Sequence, residues 1–256
     1  MNIVVCLKQT FDTEAKISLN SSGKIDDANV TRCINPYDEY AVEEGLKLKE
    51  KFGGEVIIVS VGEEKAQESI RTALAMGADK AVIVQDPALN KVDEWVVAEV
   101  LAKAVGQIPY DIILAGRIAV DDQSAQVAVR VAEALNIPSV SSILALEVGE
   151  NSAVATREID GGTETIEVPL PAVFTAQKGL NEPRYPNMMG IMKAKKKELN
   201  VLTLSDLGIT EIPERKTSEP VFSLPGSRKA GVKIQGEPAD SVRELVRLLT
   251  EEAKVV

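Results

Sequence analysis

Histidine is absent from this 256-residue chain. Ser–His and Cys–His mechanisms and the usual zinc sites are therefore excluded, and carboxylates and lysines remain for any proton transfer. Cysteine is scarce: Cys6 and Cys33 lack the close spacing of a metal or redox motif, and Cys6, inside the apolar run IVVCL, reads as a buried thiol. Aromatics make up only 4% of the chain, and Ala, Val, Ile and Leu supply the apolar content, which suits a parallel sheet covered by helices. No apolar run approaches the ~20 residues needed to span a bilayer, so no direct membrane insertion is expected. The first residues are strand-like and carry no signal-peptide pattern, so the expectation is a soluble, cytoplasmic protein in a reducing compartment. A net charge of −10 argues against general nucleic-acid binding. There is no GxGxxG after the first apolar run and no GxxxxGK[ST] anywhere, and no carboxylate pair or nucleophile–base pair stands out.

What is present is alternation. Residues 2–8, 55–61, 80–85 and 111–115 read as buried strands. Residues 39–52, 63–76, 93–105 and 124–135 read as helices, with Gly53, Gly77 and Gly106 beyond the first three and Pro138 after the last. Glu43 and Lys47 are spaced as an i,i+4 pair. Residues 9–34 are irregular, with a hairpin expected around 20–23. This βαβα order predicts an α/β fold with a doubly wound, mainly parallel sheet. After Pro138, residues 140–148, 153–158 and 163–168 predict an antiparallel excursion turning at Asp160-Gly161-Gly162, and 172–176 a last strand. A division into a domain over 1–199 and an arm over 200–256 follows. The arm ends in an amphipathic helix at 240–253 with Val242, Leu245, Val246 and Leu249 on one face. An arm packed on another subunit and an arm folded on its own domain fit this pattern equally.

Ligands on doubly wound sheets bind beyond the carboxyl ends of the strands. That rule nominates the turns after Lys8, Val61 and Ala115, together with Asn35-Pro36-Tyr37-Asp38. The stretch GRIAVDDQSAQ, residues 116–126, leads from a strand into a helix with Ser124 as candidate N-cap, and the free N–H groups of such a helix start can hold a phosphate without a lysine. Asp121 and Asp122, being adjacent, should point apart on an extended loop and organise it rather than form a catalytic dyad. Strand–turn–helix units with capped starts occur throughout this fold class, so pattern alone leaves nucleotide binding open. Residues 180–197, LNEPRYPNMMGIMKAKKK, place Met188 and Met189 in a short polar loop flanked by Lys193, Lys195, Lys196 and Lys197. Methionines are commonly core fillers and charge runs solvated faces, yet apolar tips on a basic-flanked loop also suit docking.

The same segment resembles the recognition loop of electron transfer flavoprotein beta subunits. The resemblance extends through VCLKQTFDTEAKI, INPYDEYAVEEGLKLKEK, IRTALAMGADKAV and TREIDGGTETIEVPLPAV, and so covers most of the chain. It implies an adenine-nucleotide-binding α/β fold and a non-enzymatic electron carrier. The implied heterodimer has an alpha subunit that holds most of the redox-active FAD, while the beta subunit carries a structural AMP. Carried over by position, the AMP site comprises Cys6, Asn35, Pro36, Tyr37, Asp38, Val61, Ala119, Val120, Asp121, Asp122, Gln123, Ser124, Ala125, Gln126, Val127, Ala128, Val129 and Arg130. The family often has glycine at the positions of Ala125 and Ala128, and the phosphate geometry survives provided these alanines keep a negative φ. Thr13 and Tyr37 would lie near the partner's flavin. In a recognition loop over 176–197, Met188 stands where the family exposes a leucine anchor for flavin-dependent dehydrogenases such as those of fatty acid oxidation, with Met189 and Tyr185 beside it. Glu158 matches a glutamate that meets a mobile arginine of the alpha subunit, and the arm would pack on that subunit. Two other readings share the fold: a bifurcating-type subunit with a second FAD in place of AMP, and an ATP-binding stress-type module, for which a glycine-rich triphosphate loop is missing.

Overall fold

The computed structural model of the chain describes residues 1–27, 30–90, 92–226 and 230–255. Strand β1 (Asn2–Cys6) is followed by a short antiparallel pair, β2 (Gln9–Phe11) and β3 (Arg32–Ile34), then by helix α1 (Pro36–Phe52). The alternation continues with β4 (Glu55–Val61), α2 (Ala66–Met76), β5 (Lys80–Val84), α3 (Glu94–Val105), β6 (Ile112–Gly116) and α4 (Val127–Ala134). Then come the long β7 (Ser139–Val148), β8 (Ser152–Ile159) and β9 (Gly162–Pro169), followed by β10 (Ala172–Ala176), α5 (Met188–Ala194), β11 (Leu199–Leu202) and α6 (Pro238–Arg247).

The main sheet has nine strands in the order β11-β5-β4-β1-β6-β10-β7-β8-β9. Pairing is parallel from β11 to β7 and antiparallel across β7, β8 and β9. Successive β1 side chains alternate faces: Ile3 and Val5 join the cluster under α1 and α2, and Val4 and Cys6 the one under α3 and α4. Burial on both faces is why these strands are continuously apolar. The expected doubly wound α/β architecture and its antiparallel excursion are both present. The chain leaves β1 for β4 and β5 on one side, then crosses to β6 and β10 on the other, so the crevice beyond β1 and β6 is a topological switch point.

Several boundaries differ from expectation for tertiary reasons. Helix α1 starts three residues early, because Pro36 suits the first helical position. Glu43 does not pair with Lys47; it is buried against Arg184. Helix α4 begins at Val127 rather than Ser124, and Ser124 does not cap it: its N–H goes to Asp122 Oδ1 at 2.9 Å, while its neighbours Gln123 and Ala125 have φ of 53° and 55°, incompatible with a helix. The expected polar loop at 180–197 contains α5, which Asn187 caps by accepting from Gly190 N–H at 2.8 Å. The irregular stretch at 9–34 holds β2 and β3, and the turn expected at 20–23 is closed by Asn20 and Lys24. Strand β11 crosses the 199/200 division and adds to the sheet edge beside β5, and Leu204 and Leu207 beyond it are buried. In the arm, Lys216 and Thr217 hydrogen-bond Asp93, while Val242, Leu245 and Val246 of α6 stay exposed.

Candidate functional site

The crevice at the switch point opens into a cavity of about 590 Å3. Its floor is the ends of β1 and β6, with Cys6 and Ala115; one wall is residues 116–119, Asp122 and residues 124–128 running into α4. Asn35 and Asp38 reach it from the start of α1, and Val61 from the end of β4. The opposite wall comes from the connection after β5, with Leu89 and Val92, and from α3, with Val97 and Leu101, which together make an apolar face.

Two buried side chains of α1's N-terminal region hold the loops together. Asn35 donates through Nδ2 to Ile118 O at 2.8 Å and accepts Val120 N–H on Oδ1 at 3.1 Å. Asp38 accepts Lys8 N–H at 2.7 Å and Gly116 N–H at 2.9 Å, tying the ends of β1 and β6 to the helix. Burial pushes the Asp38 carboxyl up to about 7, although these hydrogen bonds pull against it. Gly116 is glycine for a steric reason: a Cβ there would collide with Asp38 Oδ1 and lie 2.8 Å from the Asp38 backbone nitrogen.

Asp121 and Asp122 do not point apart. Both carboxylates reach Lys8 Nζ, each at 2.8 Å, so the lysine clips the 116–126 loop to the end of β1. Burial lowers the Lys8 pKa, but the two carboxylates outweigh it and the net shift is upward. Its charge is thus committed within the protein. Among the described residues the N–H groups of Gln126, Val127 and Ala128 meet no acceptor, as at any uncapped helix start. All three residues line the cavity, so the positive end of the α4 dipole faces it. Elsewhere the lining carries Glu63, Glu64, Asp86, Asp93 and Glu94, with Arg117 the one lining cation besides Lys8 among the described residues. Ala125 departs from the proviso of negative φ. It sits at φ 55°, so alanine carries strain of roughly 1–2 kcal/mol where glycine would carry none. Ala128 lies inside α4, where alanine is at ease.

Of the residues nominated from sequence, Cys6, Asn35, Asp38, Val61, Ala119, Asp122, Ser124, Ala125, Gln126, Val127 and Ala128 line this cavity. Pro36, Tyr37, Val120, Asp121, Gln123, Val129 and Arg130 are not among the lining residues. Arg130 turns instead to Gln126 Oε1 at 2.8 Å and over the Trp95 ring, which Lys216 also faces. Burial pushes the Cys6 thiol up to about 12, so it is an inert wall group. The wall from Gln85 to Val97 was not nominated. The strand-end rule reaches it through the turn that follows β5.

A second surface lies apart from the cavity. In the 180–197 segment Tyr185 is 94% exposed, Met188 76%, Met189 65% and Met192 68%, a concentration of bare apolar side chains on and beside α5. Lys197 is not part of that surface: its Nζ donates to Leu74 O at 2.9 Å and so caps the C-terminus of α2. Thr13 is in an exposed turn after β2, and Glu158 is exposed near the end of β8.

Comparison with known proteins gives the family of the whole chain. The model of the electron transfer flavoprotein domain matches residues 22–207. The electron transfer flavoprotein subunit beta of Bacillus subtilis is 48% identical over the full length of both chains. The chain belongs to the electron transfer flavoprotein beta subunit family. Its counterpart in Syntrophomonas wolfei is 47% identical over 100% of this chain and 98% of the relative, and that of Bos taurus 38% identical over 100% and 99%. Membership makes this chain an electron-transfer subunit rather than an enzyme. Among the described residues no helix is long and apolar enough to cross a membrane.

Proposed function

We propose that the chain binds a structural AMP in the switch-point cavity, pairs with an alpha subunit carrying FAD, and docks flavin-dependent dehydrogenases through the 180–197 segment. The observation that carries the nucleotide reading is the free N–H row of α4 opening into a cavity of about 590 Å3, within the roughly 300–1,000 Å3 typical of small-ligand sites. The apolar face of Leu89, Val92, Val97 and Leu101 suits a base. The helix start suits one phosphate. A longer phosphate chain would bring more negative charge among Glu63, Glu64, Asp86 and Glu94 with Lys8 already committed and Arg117 the single further cation among the described lining residues, which favours a monophosphate over ATP or a dinucleotide.

AMP in this site supplies charge and bulk, not chemistry. Asn35, Asp38 and Lys8 hold the loops, and Gln126, Val127 and Ala128 offer the phosphate donors. The partner's flavin supplies the electron chemistry, with Thr13 and Tyr37 on the side of this chain facing it and Glu158 meeting the alpha subunit. The bare face of α6 supports packing of the arm on that subunit. Acid release of nucleotides from the purified heterodimer, separated by chromatography, tests the reading: one AMP and one FAD are expected. Two FAD and no AMP would instead establish the bifurcating type. ATP turnover by the isolated chain would favour the stress-type module.

For docking, Met188 is the most exposed methionine of the patch and the expected anchor. Flexible apolar side chains adapt to varied pockets. Met188→Ala is expected to raise the KM for a reduced dehydrogenase about tenfold, the size of a modest hot spot. Flavin content should not change. Unaltered steady-state kinetics would remove Met188 from the interface.

A further inference from the structure

The docking helix is unusually well held for an exposed element. Just before it, Asn181 Nδ2 donates to Tyr40 O at 3.0 Å and to Glu44 Oε2 at 2.9 Å. Arg184 then grips α1. Its Nε and Nη2 donate to the two oxygens of Glu43 at 2.8 and 2.9 Å, its own N–H to Glu43 at 3.1 Å, and its Nη1 to Glu50 at 2.6 Å. The Glu43 side chain is only 5% exposed. A charge so buried on a helix needs a partner of fixed geometry, and the planar guanidinium fork provides one. At the other end of α5, Arg71 Nη1 donates to Ala194 O and Lys197 O, both at 2.7 Å. Between the two ends, the Gly190 backbone lies against the Ala75 carbonyl so closely that a Cβ would collide with it.

These contacts join the segment to α1 and α2 and leave Tyr185, Met188, Met189 and Met192 facing outward. None of the clamping groups belongs to that apolar patch. A loop that must be ordered on contact loses affinity in doing so, whereas a patch ordered beforehand does not. We propose that Arg184 is a positioning residue for electron uptake: by clamping the segment to Glu43 and Glu50 it pre-orders the methionine patch and sets the affinity for the electron-donating dehydrogenase. This rests on the docking reading of the 180–197 segment.

The test uses the whole heterodimer, with a reduced acyl-CoA dehydrogenase as donor and a chemical reductant as control. Removing Arg184 alone would strand the buried Glu43, so both charges are removed together, Glu43→Gln with Arg184→Gln. KM for the donor is expected to rise about tenfold, with kcat within twofold of the parent. Flavin content, nucleotide content and the rate of chemical reduction are expected to hold. Arg184→Lys, which keeps a charge but loses the fork, should rescue part of the effect and leave KM raised about threefold. Met188→Ala added to the double variant should raise KM by far less than the product of the separate effects, because an unpositioned patch has less anchor to lose. Multiplying effects, or an unchanged KM in the double variant while Met188→Ala alone raises it, would overturn the positioning role and leave docking intact. An unchanged KM in both would remove the docking reading itself. If the double variant fails to assemble, Arg184→Lys and Glu50→Gln carry the test: a threefold rise in KM supports the clamp, and parental kinetics overturn it.

Discussion

Gly116→Ala is expected to destabilise the chain by about 3 kcal/mol or more, a drop of roughly 6–12 °C in Tm for a chain of this size. The added Cβ would meet Asp38 Oδ1, and would lie 2.8 Å from both the Asp38 nitrogen and the Tyr37 carbonyl carbon. The last two are backbone atoms of the first turn of α1, which is packed on the sheet and cannot swing aside as a flexible side chain would. Relief requires α1 and β6 to separate, which breaks the hydrogen bond from Gly116 N–H to Asp38 and widens the cavity floor. If the cavity holds the proposed AMP, its retention should fall with stability. Differential scanning calorimetry of the heterodimer, with nucleotide analysis of the same sample, measures both. An unchanged Tm would mean that the junction has slack the packing does not suggest.

Asp38→Ala is the second large effect, expected to cost about 2–4 kcal/mol by leaving the N–H groups of Lys8 and Gly116 without their acceptor in a buried place. Its pH dependence has a definite sign. Burial raises the folded-state pKa from the ordinary 3.8 to about 7, so the folded chain holds the Asp38 proton more tightly than the unfolded chain. The stabilisation linked to that proton is complete below 3.8 and is lost as pH rises through about 7. The stability gap between the parent and Asp38→Ala should therefore narrow from pH 5 to pH 8. Comparing the two by urea denaturation at each pH isolates Asp38 from other titrating groups. A gap that is constant, or that widens with pH, would contradict the burial-dominated assignment.

Both predictions concern one junction, and its parts were unequally visible in the chain. Asn35 and Asp38 stand out beside Pro36 as a helix start, and GRIAVDDQSAQ as a strand–turn–helix unit. Nothing local to either indicates that Asp38 serves Gly116, 78 positions away. Likewise, two adjacent aspartates read as divergent until Lys8, more than a hundred residues earlier, is brought between them. Ala125 shows the converse limit. Alanine gives no hint of a positive φ, because the conformation is imposed by the loop's closure and not by the residue. Lys47 was the nearer partner for Glu43 in sequence, but Arg184 offers a fork that matches a buried carboxylate.

Apolar periodicity, glycine stops and the βαβ alternation were sufficient to establish the fold class, the parallel sheet and the strand ends that border the cavity. Each of these depends on residues within a turn or a strand of one another. The same holds for the exposed methionine segment at 180–197, whose composition marks it without reference to the rest of the chain. Folding determined which loops meet at the cavity, which charges are consumed in joining them, and that the methionines sit on a clamped helix instead of a loose loop. Those outcomes depend on contacts between residues far apart in the chain, such as Arg184 with Glu43 and Asp38 with Gly116, which arise only once the sheet has brought its strand ends together.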